Sequence, residues 1–366
     1  MIKQMNLYFI IETVIVGVCG GTLFLLFNLP LAWMLGPLSA VMLWKLITKR
    51  KLHWPIGFRN GGQMILGFSM GLSFTTESAR QILEQFPSMM ITTILMVGFG
   101  LVMAKFISKV TKMKVASAVM GTTPGGLSQM VILSEEITDS EPTIVTFMQT
   151  VRMLTVIFLV PFLTIHALST SHTDSFVEDS VSQMNTSGYI QLLIFLVIVF
   201  FFTKLAVRFK CPTPWIIGPL ISSALLTVFG FSVPSVPDFL TILAQLCLGI
   251  YLGLGMKTNM LGNWQSLLPV TILSSLLIVG FALLLAYGLH SLYSISMSTA
   301  FLCIAPGGLP EMGVTAHTVN ADVSMVAAFQ LFRVFFILFI IPLFLRKFFG
   351  RNTIEKKSVT ASKLIP

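Results

Sequence analysis

The sequence predicts an all-α polytopic membrane protein made of two inverted copies of one ancestral half. Three observations carry this. The chain is too apolar for a water-soluble core, it repeats itself at a fixed offset, and its basic loops change sides between the copies.

Of 366 residues, 55% are hydrophobic and only 10% charged. A soluble domain carries about 25% charged residues. The mean hydropathy is +0.89. Apolar runs such as 91–104, 151–163 and 190–202 fit spanning helices, which need roughly 20 predominantly apolar residues. The net charge of +9 could suggest nucleic acid, but the Lys and Arg residues cluster in short loops between apolar runs. There they set topology and meet anionic lipid. The expected partner is therefore the lipid bilayer, with no nucleic acid. Cys19, Cys211, Cys247 and Cys303 form no C-x-x-C, and the five histidines show no ligand spacing. No metal and no cofactor are expected. Lys3 before an apolar stretch resembles a signal peptide, but that stretch has a counterpart inside the chain and belongs to the fold.

Trp33-Met-Leu-Gly-Pro-Leu38 returns 182 residues later as Trp215-Ile-Ile-Gly-Pro-Leu220. At the same offset Gln63 meets Gln245, Gly67 meets Gly249, and Gly71 meets Gly253. Pro124-Gly125-Gly126-Leu127 meets Pro306-Gly307-Gly308-Leu309. One residue is then lost, and Gln149 and Arg152 meet Gln330 and Arg333. Matching P-G-G-L at one fixed offset has a chance of about 10⁻⁵ at average usage. The expected organisation is membrane repeat 1 over 8–166, a polar linker over 167–188, membrane repeat 2 over 189–345 and a basic tail over 346–366.

Each half holds six apolar segments. They are expected at 8–29, 31–47, 58–74, 87–108, 115–133 and 143–166, then at 189–209, 213–229, 239–255, 267–288, 297–313 and 323–345. Lys45, Lys49, Arg50, Lys51 and Arg59 place one loop of the first half in the cytoplasm, and Lys105, Lys109, Lys112 and Lys114 place another. Their counterparts around 232–238 and His290 carry no Lys or Arg. Lys204, Arg208 and Lys210 instead fill a loop whose counterpart is uncharged. The halves are therefore expected in opposite orientations, with an odd number of crossings each. One segment per half must fail to cross, and the Pro-Gly-Gly segment is the candidate. Pro lacks an N–H and Gly a side chain, so either a re-entrant hairpin or a broken helix fits. Ten to twelve membrane segments result. Both termini fall in the cytoplasm of a bacterial plasma membrane.

Irregular backbone survives at membrane depth only when buried in protein or lining a wet cavity. Paired breaks in inverted repeats point to a transporter site near the midplane. Half-helix N-termini suit anions. The candidate binding residues are Pro124, Gly125, Gly126 and Gln129 of the first break and Pro306, Gly307, Gly308 and Glu311 of the second. Arg152 and Arg333 in the following helices join them. The blander reading of each Pro-Gly-Gly is a packing corner. Glu311 replaces Gln129 and is either an exposed hairpin tip or a buried proton-exchanging group, the coupling candidate. Each Arg either satisfies half-helix carbonyls or balances an anionic solute. Gly67-x-x-x-Gly71 and Gly249-x-x-x-Gly253 read as close helix packing. Gln63 and Gln245 are interhelical hydrogen bonds or pore-lining groups.

The motifs W-x-x-G-P-L, G-x-x-x-G, and T-P-G-G-L-S-Q-M with A-P-G-G-L-P-E-M resemble the AbrB-type membrane protein family. The resemblance covers nearly the whole chain. It implies a membrane protein of the kind labelled a regulator of gene expression or ammonia-monooxygenase-like. More distantly, the arrangement is similar to the cation–proton antiporter and bile-acid symporter superfamily. That implies crossing broken helices, an elevator-like secondary transporter and a homodimer. The break regions lack paired membrane Asp residues, which argues against cation exchange.

The leading expectation is a secondary transporter of a small anionic solute. The alternative is a membrane regulator of gene expression acting through a partner or through solute levels. An enzyme is not expected, because there is no G-x-S-x-G, zinc motif or phosphate loop.

Overall fold

The computed structural model describes residues 2–50, 52–123, 127–137, 139–168, 186–231, 236–255 and 264–349, and regular structure among them is helical throughout. Pro124, Gly125, Gly126, the side chain of Gln129, most of the expected linker and most of the expected tail lie outside the described residues.

The first half forms α1 (Ile2–Leu26), α2 (Ala32–Thr48), α3 (Ile56–Leu72), α4 (Thr76–Glu84), α5 (Phe86–Thr111), α6 (Val115–Thr122), α7 (Leu127–Glu136) and α8 (Pro142–Leu163). The second forms α9 (Thr186–Arg208), α10 (Pro214–Val228), α11 (Asp238–Gly255), α12 (Trp264–Tyr293), α13 (Met297–Ile304), α14 (Leu309–Thr318) and α15 (Val323–Phe349). Helix α4 was not anticipated. Its sequence is polar, but Thr75 caps it by accepting from the Ser78 N–H, and Arg80 pairs with Glu84 one turn on.

Six described helices are long and apolar enough to cross a bilayer: α1, α5, α8, α11, α12 and α15. Their outward faces carry large apolar side chains such as Leu26, Val102, Phe239 and Leu343. In water such a surface would aggregate, whereas hydrocarbon solvates it. The chain is a multi-pass membrane protein. Helices α2 and α10 are apolar but shorter. The 15 residues of α10 reach about 22 Å, against a hydrocarbon core of about 30 Å.

The packing separates the helices into two bodies, each drawing equivalent helices from both halves. One comprises α1–α3 and α9–α11. The other comprises α5–α8 and α12–α15 and holds both break segments. Contact between them is concentrated where α3 meets α14 and α15.

The duplication is visible in the backbone. Positive φ recurs 182 residues apart at Asn28 and Lys210, Leu31 and Thr213, and Lys112 and Ser294. Packing recurs too. A side chain at Gly67 would overlap the Ile216 carbonyl, and one at Gly249 would overlap its counterpart, the Met34 carbonyl. Gly71 lies likewise on Leu220, and Gly253 on Leu38. Each G-x-x-x-G helix thus lies on the W-x-x-G-P-L helix of the other half. The equivalent helices α3 and α11 cross antiparallel at Gly62, where an added Cβ would stand 2.9 Å from the Ala244 carbonyl. The start of α3 meets the end of α11, since the Arg59 guanidinium lies 4.7 Å from the Tyr251 ring centroid. The end of α3 meets the start of α11, since Ser69 and Thr241 line one cleft.

Candidate functional site

Each Pro-Gly-Gly lies between two short helices, α6 and α7 in the first half and α13 and α14 in the second. Both pairs fold back on themselves. The hydroxyl of Ser117, near the start of α6, accepts from the Glu141 N–H at 2.8 Å, beyond the end of α7. If α7 continued in the direction of α6, the two helices alone would carry the chain about 21 Å from Ser117. The five residues from Glu136 to Glu141 return at most about 17 Å. In the second half the Thr299 hydroxyl accepts from the Asp322 N–H at 3.1 Å, with four residues available for the return from Thr318. In both halves the start of the first short helix therefore lies beside the end of the second, so each helix pair forms a hairpin.

Folding back exposes backbone carbonyls at the turns, and these need donors. Gln330 donates from Nε2 to the Leu302 carbonyl at 2.7 Å and to Ala305 at 3.1 Å. Arg333 Nη1 donates to Ile304 at 3.0 Å and Ala305 at 2.7 Å. Its Nη2 donates to Gly307 at 2.8 Å and to Gln330 Oε1. The first half repeats this arrangement. Gln149 donates to Met120 at 2.5 Å and Thr123 at 3.0 Å, and Arg152 to Thr122 at 3.0 Å and Gln149 Oε1 at 2.7 Å. All four side chains are buried. Both arginines thus make the carbonyl-capping contacts that were one of the two readings open in the sequence. The positive charge also suits the negative end of each first half-helix.

Neither Arg152 nor Arg333 has an ion-pair partner among the described residues. Each hairpin thus holds one buried cation at the carbonyl end of its first half-helix.

Glu311 stands in the first turn of α14, and it is buried rather than exposed at a hairpin tip. Its Oε2 is shielded from solvent and has no hydrogen-bond partner. Gly308 makes room for it, because a Cβ there would overlap Oε2. Pro306 is buried at the turn, and a Cβ on Gly307 would overlap the side chain of Met312. The second break thus brings Pro306, Gly307, Gly308, Glu311 and Arg333 together. The first brings Arg152 to the α6 end.

Nothing in the sequence pointed to a cleft where the two bodies meet. Its cavity volume is about 30 Å³, the room of a single water molecule. Ser69 of α3 and Thr241 and Gln245 of α11 line one side, and His317 and Thr318 of α14 the other. Gln245 therefore lines a cleft, while its counterpart Gln63 is buried with Oε1 unpartnered. Thr318 lies on the α14 face that carries Glu311 two turns deeper. Ser69, Thr241 and His317 are far apart in sequence and follow no motif, so only the repeat register could have pointed to Gln245. An apolar groove bordered by Phe24, Leu35, Phe158 and Leu276 faces outward elsewhere.

Fold and site together define a polytopic helical membrane protein with two buried, Arg-capped hairpins. A family model described as "Transition state regulatory protein AbrB" matches residues 33–349, and the chain belongs to this AbrB family. It is 25% identical to "Uncharacterized protein YhjN" of Bacillus subtilis (strain 168) over 383 residues, covering 99% of this chain and all of that one. It is also 25% identical to "Putative regulator AbrB" of Escherichia coli (strain K12) over 317 residues, covering 86% of this chain and 89% of that one.

Proposed function

We propose that the protein is a secondary transporter of a small anionic solute, working by elevator-like alternating access. The observation that carries this reading is the pair of fold-back hairpins with two buried arginines that no described carboxylate neutralises. Burying Arg at a helix centre costs about 2.5–3.5 kcal/mol on insertion scales, and such intramembrane residues mark solute or ion pathways. The arginines act through their field rather than as direct ligands, because their terminal N–H groups serve hairpin carbonyls. The solute would enter between the bodies, at the cleft beside His317, and Glu311 would exchange a proton as it passes. Division into two bodies joined chiefly at α3 supports relative movement. The antiparallel crossing of α3 and α11 supports inverted halves, with both termini in the cytoplasm of the plasma membrane.

The test is a stabilisation screen of the purified protein against small organic acids, amino acids and ammonium, followed by uptake into proteoliposomes. A ligand that binds the folded state raises its melting temperature. Saturable uptake of the stabilising anion, lost in Glu311→Gln, is the expected result. Uptake at the wild-type rate in Glu311→Gln would remove the coupling role. The absence of any stabilising or transported anion would overturn the transport reading.

A second reading follows from the printed name of the Escherichia coli relative, in which the protein changes gene expression by setting solute levels. A deletion strain whose expression changes disappear when the solute is supplied would favour transport as the primary event.

A further inference from the structure

Arg59, Asn60 and Gln63 form a polar group on the first half of α3, at the opposite end of the α3–α11 crossing from the cleft beside His317. Three of its polar atoms are shielded from solvent and have no partner: Arg59 Nε, Asn60 Oδ1 and Gln63 Oε1. Gln63 is only 5% exposed. The Arg59 guanidinium lies over the Tyr251 ring and has no ion-pair partner among the described residues. Residues 59 and 63 share a helix face, as do 60 and 63. Nothing bonds to either amide oxygen, so each amide can rotate to present its NH2.

The repeat gives this cluster its meaning. At the 182-residue offset, Arg59, Gln63 and Tyr251 correspond to Thr241, Gln245 and Ser69, the polar wall of the cleft. In that second copy α14 closes the wall with Gly313, Val314 and His317. The corresponding residues of α7 are Val131, Ile132 and Glu135. They do not close theirs: Val314 is 5% exposed, while Ile132 is 56% exposed. The first copy therefore has the same wall without its cover, and the wall carries a cation where the second has a hydroxyl.

We propose that Arg59, Asn60, Gln63 and Tyr251 form a carboxylate-binding site. A carboxylate would accept from the Arg59 fork, giving its orphaned Nε an acceptor, and from the NH2 groups of the turned amides. Two sources of that carboxylate fit: a free organic acid, or Glu135 of the chain's own hairpin moving to the place His317 occupies in the other copy. The assignment does not require transport and is read by binding alone.

The test uses the full-length protein in nanodiscs. In the first arm, succinate is titrated and the melting temperature followed. For a free acid, succinate stabilises the wild type, Arg59→Gln binds at least about tenfold more weakly, and Arg59→Lys recovers part of the loss. In the second arm, a variant with Arg59→Cys and Glu135→Cys is oxidised. For the internal source, a disulfide forms there and does not form in a control pairing Arg59→Cys with Thr318→Cys. Glu135→Gln then strengthens succinate binding by removing the competitor. Succinate binding equally strong in wild type and Arg59→Gln, together with no cross-link, would overturn the proposal. Failure here leaves uptake unaffected, whereas failure of the transport reading leaves these two measurements unchanged.

Discussion

Arg333 holds the second hairpin open from the side: its Nη2 donates to the carbonyl of Gly307 at 2.8 Å, across the break from the helix it belongs to. The same guanidinium takes the Ile304 and Ala305 carbonyls through Nη1. Removing it takes that donor from the Ile304 and Gly307 carbonyls and from Gln330 Oε1, while Ala305 still accepts from Gln330. Hydrogen bonds to a charged group contribute about 1.5–3 kcal/mol each and do not add fully. Arg333→Met should lose about 3–5 kcal/mol of stability. Arg333→Lys, which keeps the charge but not the fork, should fall between. Thermal unfolding in detergent measures this, and a wild-type melting temperature for Arg333→Met would remove the capping role.

Gly308 and Glu311 should be coupled. A methyl group at 308 overlaps Glu311 Oε2, so Gly308→Ala must push the carboxylate out of its place. Glu311→Ala makes the space. The double variant should recover most of the stability lost by Gly308→Ala, with an interaction of about 1–2 kcal/mol. A double-mutant cycle in melting temperature reads it, and additive losses would contradict the packing.

The reciprocal glycines should behave as a pair. Gly67 and Gly249 each press on a backbone carbonyl, which cannot rotate aside as a side chain can. Gly67→Val and Gly249→Val should each cost about 3 kcal/mol or more, and by similar amounts. Yield of monodisperse protein after extraction provides the measurement. Gly98, whose Cβ would meet nothing within 4 Å, is the control, and Gly98→Val should extract normally.

Sidedness follows from the loop charges. Single cysteines replacing Glu135, which is exposed just before the end of α7, and Ser187, at the start of α9, should label from opposite sides of the membrane. A membrane-impermeant thiol reagent applied to whole cells should reach position 187 only. Labelling of both from one side would contradict the inverted arrangement.

Much of the fold was legible because its signals are local or periodic. Apolar length marks a spanning helix wherever it occurs, so α5, α8 and α12 fall close to their expected bounds. The repeat is a property of the string itself, and with one residue lost after the break it pairs Gln149 and Arg152 with Gln330 and Arg333. The short polar helix α4 was missed because its stability depends on a cap and one ion pair rather than on an apolar stripe.

The sequence by itself determined that lipid solvates this chain, that it is duplicated, and where each half is broken, since composition and self-similarity need no third dimension. Tertiary structure alone decided what the breaks become. Whether Pro-Gly-Gly turns the chain back or lets it continue depends on which distant donors meet the freed carbonyls, and those donors lie 25 to 30 residues away. Whether Glu311 is exposed or buried depends on the space that Gly308 leaves. The difference between the two copies is also tertiary. Residues that align in the string are covered in one half and open in the other, because α14 packs on α3.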